Sequence, residues 1–140
     1  MTQLKNQEVL TSKLTAEMLP YCMKYWEEHI SSLNSVIPVD REVVLEEFTV
    51  VCRRWPDYQW LFWLGDTLVG SLIVSEHELF WSNETYFTNT LFWINEKNRG
   101  DRRISTKMLS VIRDIRKHSG RPFMLERFAN NKSKAVLLSP

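Results

Sequence analysis

Midway along the chain the period of the apolar residues changes, and that change restricts the fold more than any other feature of the sequence. Up to Trp55 the apolar positions recur at helical spacing. Leu19, Cys22, Met23, Trp26 and Ile30 share one face of a run over residues 16–30, and Val44, Phe48, Val51, Cys52 and Trp55 share one face of the next. Asp40 stands where a cap belongs and Pro56 where a helix must stop. From Tyr58 the chain reads YQWLFWL, then Gly65-Asp66, then TLVGSLIVS, which is two strands joined by a two-residue turn. A polar connection carrying Phe80 and Trp81 leads to a further strand over residues 86–94. Helical spacing returns with Ile104, Met108, Val111, Ile112 and Ile115, and Gly120 sits where a C-terminal cap glycine belongs.

With a short strand over residues 8–14, a strand over residues 122–128 and a last short helix capped by Asn130 or Asn131, the expected order is β-α-α-β-β-β-α-β-α. That order is an α/β domain with a mixed, largely antiparallel sheet flanked by helices. A length of 140 residues is ordinary for one domain, residues 1–140, and short for two. Four glycines and five prolines without a low-complexity tract disfavour collagen-like and disordered readings. Within the sheet segments, Phe62-Trp63, Phe80-Trp81 and Phe92-Trp93 are adjacent aromatics, and strand alternation sends such neighbours to opposite faces. The expectation is that helices cover both faces of the sheet; the alternative is that some of these aromatics line an acceptor groove or a protein interface.

Between the third sheet strand and the third helix lies the wholly polar Asn95 to Arg103 segment, and it contains Arg99-Gly100. A strand, such a loop, an amphipathic helix and another strand resemble the GCN5-related N-acetyltransferase (GNAT) superfamily. In that family the loop has the form Arg/Gln-x-x-Gly-x-Gly/Ala, and its backbone N–H groups with the following helix N-terminus hold the pyrophosphate of acetyl-CoA. The resemblance makes Arg99, Gly100, Arg102, Arg103, Ile104 and Ser105, with Asn131 further on, the cofactor-binding positions, and acetyl-CoA the cofactor. Arg103 and Ser105 stand where the family usually has glycine and Gly or Ala. Either the arginines serve a phosphate, or they are solvated or paired with protein carboxylates.

The same resemblance implies acetyl transfer to an amine, with Glu84, Glu96 or Glu126 as base. Leu137 and Leu138 lie where the family's last helix carries a tyrosine acid, and the chain ends at Pro140, before two strands that usually complete the fold. A protein partner or a second copy is then expected to supply that surface. The alternative is a noncatalytic binding or assembly protein on the same fold; in style the chain is similar to small divergent members found in tailed phages, virion components among them.

Charge is divided along the chain. Residues 1–96 carry 6 Lys+Arg and 14 Asp+Glu, a net of −8, and residues 97–140 carry 12 and 3, a net of +9. The basic part suits an anionic partner such as a nucleotide phosphate or an acidic protein face. Nucleic acid is disfavoured, because no helix-turn-helix, RRM or zinc-finger signature accompanies Lys107, Arg113, Arg116, Lys117 and Arg121. His29, His77 and His118 are isolated, without HExxH or ligand spacing, so no metal is expected. Cys22 and Cys52 read as buried free thiols, and no GxSxG surrounds a serine. No apolar run approaches the ~20 residues of a membrane span, and the first ten residues lack a signal-peptide pattern, so the expected location is cytoplasmic, with incorporation into a virion under the alternative.

Overall fold

The computed structural model describes residues 7–33, 38–129 and 132–140. Its elements are β1 (Leu10–Lys13), α1 (Leu19–Leu33), α2 (Arg41–Arg54), β2 (Trp60–Leu64), β3 (Thr67–Glu78), β4 (Thr85–Ile94), α3 (Arg102–Ser119), β5 (Phe123–Ala129) and β6 (Lys132–Leu138). Single 3-10 turns at Ala16–Met18, Pro56–Tyr58 and Glu96–Asn98 punctuate them. The six strands form one sheet in chain order. Every neighbouring pair is antiparallel except β4 and β5, which run parallel because α3 returns the chain across the sheet between them.

Strand alternation divides the apolar residues into two cores. On one face Phe62, Val69, Leu72, Val74 and Phe87 pack against Ile104, Met108, Ile112 and Ile115 of α3. On the other, Leu61, Ile73, Leu91 and Trp93 pack against Leu19, Cys22, Met23 and Trp26 of α1 and Phe48, Val51 and Cys52 of α2. The aromatic neighbours separate as expected at two of the three sites: Phe62 and Phe92 lie toward α3, Trp63 and Trp93 toward α1 and α2. Phe80 and Trp81 do not, because they fall between β3 and β4 rather than in a strand, and they are 95% and 67% exposed.

Two extra residues interrupt the ladders. Phe62 lies opposite Gly70 but Trp63 opposite Leu68, so Val69 is a bulge in β3. Ile73 lies opposite Leu91 but Val74 opposite Asn89, so Thr90 is a bulge in β4.

The end of the expected element order is corrected: the last element is a strand, not a helix. Leu137, Val136 and Ala135 lie opposite Met124, Leu125 and Glu126, so cross-strand pairing outweighs whatever helical preference the segment has. Asn130 and Asn131, offered as caps by the sequence, lie outside the described residues, and asparagine serves turns as readily as caps. The expectation that the chain ends before both closing strands is corrected with it, because β6 adds one further strand at the edge of the sheet. No helix among the described residues is long and apolar enough to cross a membrane.

Candidate functional site

The site begins where β4 and β5 part. Their parallel pairing covers only Phe87↔Phe123 and Thr88↔Met124. There the Thr88 hydroxyl donates to the Met124 carbonyl at 2.8 Å. One residue on, the Asn89 carboxamide takes over from the backbone: its Nδ2 donates to the Glu126 carbonyl at 2.9 Å, and the Glu126 N–H donates to its Oδ1 at 2.8 Å. A side-chain amide thus acts as a surrogate peptide group at the apex of a wedge. Beyond it β4 bulges at Thr90 and runs on to Ile94 with no partner in register on β5.

On the α1 and α2 side of this apex a line of polar side chains crosses from β4 to β3. Thr90 Oγ1 is 2.7 Å from Ser75 Oγ, and Ser75 Oγ is 2.9 Å from His77 Nε2. His77 lies opposite Tyr86, with ring centroids 5.9 Å apart. Ser75 is buried, while Thr90 and His77 are exposed at the two ends of the line. Sequence reasoning weighed His77 only as a metal ligand and missed Ser75, Asn89 and Thr90. Two-residue spacing places Ser75 and His77 on one strand face, but nothing local announces the bulge that turns Thr90 to meet them.

The polar loop after β4 is a chain of short turns. Asn98 N–H donates to the Asn95 carbonyl at 2.8 Å, Arg99 N–H to Glu96 at 3.3 Å and Asp101 N–H to Asn98 at 3.1 Å. Gly100 has φ +91°, a left-handed conformation that favours glycine. Asp101 then caps α3, its Oδ1 accepting the Arg103 N–H at 3.0 Å, while the Ile104 N–H donates to the Asp101 carbonyl at 3.2 Å. The Arg103 guanidinium grips the same carboxylate, at 2.7 Å from Nη2 to Oδ2 and 3.1 Å from Nε to Oδ1, and donates from Nη1 to the Gln7 carbonyl at 2.9 Å. That hydrogen bonding holds the Asp101 carboxyl below the usual carboxylate range and pushes the Arg103 pKa up.

The helix N-terminus therefore already faces an anion, and the anion is Asp101. Arg99 and Arg102 are exposed on either side of the Gly100 turn, Arg99 Nε donating to the Ile94 carbonyl at 3.4 Å. Arg103 is engaged with Asp101, Ile104 is buried in the core beneath α3, and Ser105 Oγ donates to the Arg102 carbonyl at 3.3 Å. Asn131 lies outside the described residues.

The candidate bases do not converge. Glu84 precedes β4, exposed and 3.6 Å from Arg121 Nη1. Glu96 follows β4, where it lines a cavity of about 310 Å³ with His29, Glu28 and Arg99. At ~3.3 Å per strand residue the two are on the order of 30 Å apart, and neither reaches the bulge. Burial first, then the Arg99 charge, lowers the His29 pKa. Glu126 on β5 offers its backbone to Asn89 and keeps its side chain exposed. A larger cavity of about 510 Å³ lies between β2 and α3, lined by Tyr58, Trp60, Lys107 and His118 among others, and contains none of the wedge residues.

No protein-family model matches the sequence, and no curated protein does. Solved structures do match the fold. A possible acetyltransferase from Clostridium difficile 630 superimposes with a TM-score of 0.63 at 10% identity, over 89% of this chain and 82% of that one. A GNAT family acetyltransferase from Staphylococcus aureus gives 0.62 at 12% identity, over 89% and 90%. The PaiA N-acetyltransferase of Thermoplasma acidophilum, solved in complex with coenzyme A, gives 0.61 at 14% identity, over 89% and 82%. At such identities the likeness concerns the fold alone, and the fold of this chain is that of the GNAT acetyltransferases.

Proposed function

We propose that the protein is an acetyl-CoA-dependent N-acetyltransferase that acts on an amine. The observation that carries the reading is the wedge: β4 and β5 are tied at Asn89 and then part, beside a bulge at Thr90. An extended ligand carrying amides, such as the pantetheine arm of CoA, can add along the unpartnered stretch of β4 in the manner of a strand. Arg99, Gly100 and Arg102 would receive the diphosphate, and Arg103, Ile104 and Ser105 would join them if Asp101 is displaced. Bound acetyl-CoA supplies the acetyl thioester; the chain's own contribution is to hold it beside the amine, which is catalysis by positioning.

Calorimetric titration of the folded protein with acetyl-CoA, and separately with CoA, tests this. Saturable binding near micromolar, ~8 kcal/mol, is the expected result, and absence of binding at millimolar ligand overturns it. Asp101→Asn keeps the helix cap, because Asn caps as well as Asp, but removes the competing charge and releases Arg103. Its affinity for CoA should rise roughly two- to fivefold at low salt, since a helix N-terminus is worth about 0.3–1 kcal/mol to a nearby anion, and the gain should shrink as salt is added.

A second reading is favoured by two observations: the carboxylate already seated at the α3 N-terminus, and the exposed Phe80 and Trp81 between β3 and β4, packed edge to face with centroids 4.7 Å apart. It makes the chain a noncatalytic binding or assembly protein on the same fold, self-associating or held by a protein partner, as in a virion. Failure of Asp101→Asn to bind CoA, together with a sedimentation shift lost in Phe80→Ser, would favour it.

A further inference from the structure

We infer that Thr90, Ser75 and His77 form a proton path that takes the proton of the acceptor amine from the cleft to solvent. This rests on the acetyltransferase reading. The three side chains are joined at 2.7 and 2.9 Å. Thr90 occupies the bulge next to Asn89, at the apex of the wedge, and His77 stands at the exposed far end.

The order of residue types follows from their chemistry. A threonine or serine hydroxyl near neutral pH accepts a proton only by passing one on, so a line of hydroxyls needs a base at its end. Imidazole is the side chain suited to that place. The Ser75 hydroxyl, accepting from Thr90 and donating to His77 Nε2, leaves Thr90 to accept from the amine. In the transfer, the amine nitrogen forms a bond to the acetyl carbonyl carbon and the carbon–sulfur bond breaks. The sulfur leaves with that electron pair and takes a proton from water. The amine proton passes to Thr90 Oγ1, that of Thr90 to Ser75 Oγ, and that of Ser75 to His77 Nε2, which releases it to solvent.

The charged and titratable groups near His77 come from β3 and β4. Glu76 and Glu78 flank it on β3, Tyr86 lies opposite on β4, and Glu84 stands at the head of β4. Of these, Glu76 accepts from the Thr85 hydroxyl at 3.1 Å and Glu84 pairs with Arg121. By strand alternation Glu76 and Glu78 lie on the other face of β3 from His77, so Tyr86 is the titratable group set directly beside the imidazole. Thr90 is the group that touches substrate; Ser75 and His77 act through it.

The test uses 1,4-diaminobutane as the amine, thiol release from acetyl-CoA as the rate, and calorimetric binding of acetyl-CoA as a separate reading. Across pH 5.5–9 the wild-type kcat/KM should rise along an acid limb. His77→Gln should lose that limb and fall about 100-fold, the scale of general-base catalysis, with acetyl-CoA affinity unchanged. Ser75→Ala should also lose the limb, and Thr90→Val should lower the rate at all pH values. Persistence of the acid limb in His77→Gln at the wild-type rate overturns the path. Binding of acetyl-CoA without turnover of the diamine overturns it and leaves the acetyl-CoA reading standing; absence of binding overturns both. A measurement that needs no turnover is the His77 imidazole nitrogen resonance in the free protein. Ser75→Ala should shift Nε2, and an unmoved resonance overturns the hydrogen-bonded line itself.

Discussion

Gln59 completes with one side chain what the backbone leaves undone between β2 and β3. Fully buried, it accepts the Val74 N–H at 2.7 Å and donates from Nε2 to the Val74 carbonyl at 2.7 Å and the Trp55 carbonyl at 3.0 Å. Gln59→Leu keeps the volume and strands a buried donor and acceptor. Each unsatisfied group costs about 1–3 kcal/mol, so the variant should lose about 3 kcal/mol in urea unfolding, and a loss under 1 kcal/mol would mean that water or a shifted backbone serves Val74. Asn89 works in the same manner at the wedge. Neither role is legible in sequence, because each depends on a backbone group 15 or 37 residues away. The Asp101–Arg103 pair is closer to legible: Asp101 directly follows the glycine of the loop, and an Asp two residues before an Arg at a helix start is a cap with a built-in counter-charge.

Elements were easier to read than residues where local chemistry decides them. Asp40 caps α2, its Oδ1 accepting from Glu42 N–H at 3.1 Å, and Gly120 closes α3 at φ +67°, donating its N–H to the Arg116 carbonyl at 2.9 Å. Around Gly120 an added Cβ would meet nothing within 4 Å, so the cost of Gly120→Ala is conformational rather than steric. A left-handed L-residue costs about 1–2 kcal/mol, and the urea midpoint should fall accordingly; an Asn at the same position, which tolerates this conformation better, should recover part of the loss. The contrary case is β6, where local reading failed. Its segment has a capping asparagine and a lysine-alanine-leucine composition that suit a helix, yet Lys134 to Leu138 lie opposite Arg127 to Phe123. Pairing with a distant strand decided the matter, and no window confined to the segment contains that strand.

At the scale of the molecule, the change of apolar period predicted a sheet covered on both faces, and the two separate cores realise it. The bulges at Val69 and Thr90 lay beyond that reading: each reverses the alternation within its strand, so that Leu68 and Leu72 of β3, and Phe87 and Leu91 of β4, face opposite cores, but with both faces apolar the reversal does not stand out in the sequence. The core beneath α1 and α2 gives a prediction that concerns the whole fold and is independent of any catalytic role. Cys22 and Cys52 are free and buried in it, and burial pushes their thiols up, to about 12 for Cys22, with a further contribution from Cys52, and to about 11 for Cys52, with a further contribution from Glu17. A thiol raised in the folded state stays protonated where the unfolded chain has already ionised, at an ordinary value near 9. Between that value and about 11 the native state holds more protons than the unfolded state, so stability falls as pH rises through this interval and is fully retained below it. Lys and Tyr titrate over part of the same range, so the comparison is between proteins. From pH 8 to 10.5 the urea midpoint of wild type should fall more steeply than that of Cys22→Ala/Cys52→Ala, although the double variant starts lower because two buried side chains are truncated. At pH 8 without urea both thiols should resist an aromatic disulfide reagent and react in step with global unfolding. Parallel slopes, or labelling far faster than unfolding, would place the thiols in contact with water and break the link between this core and the pH dependence.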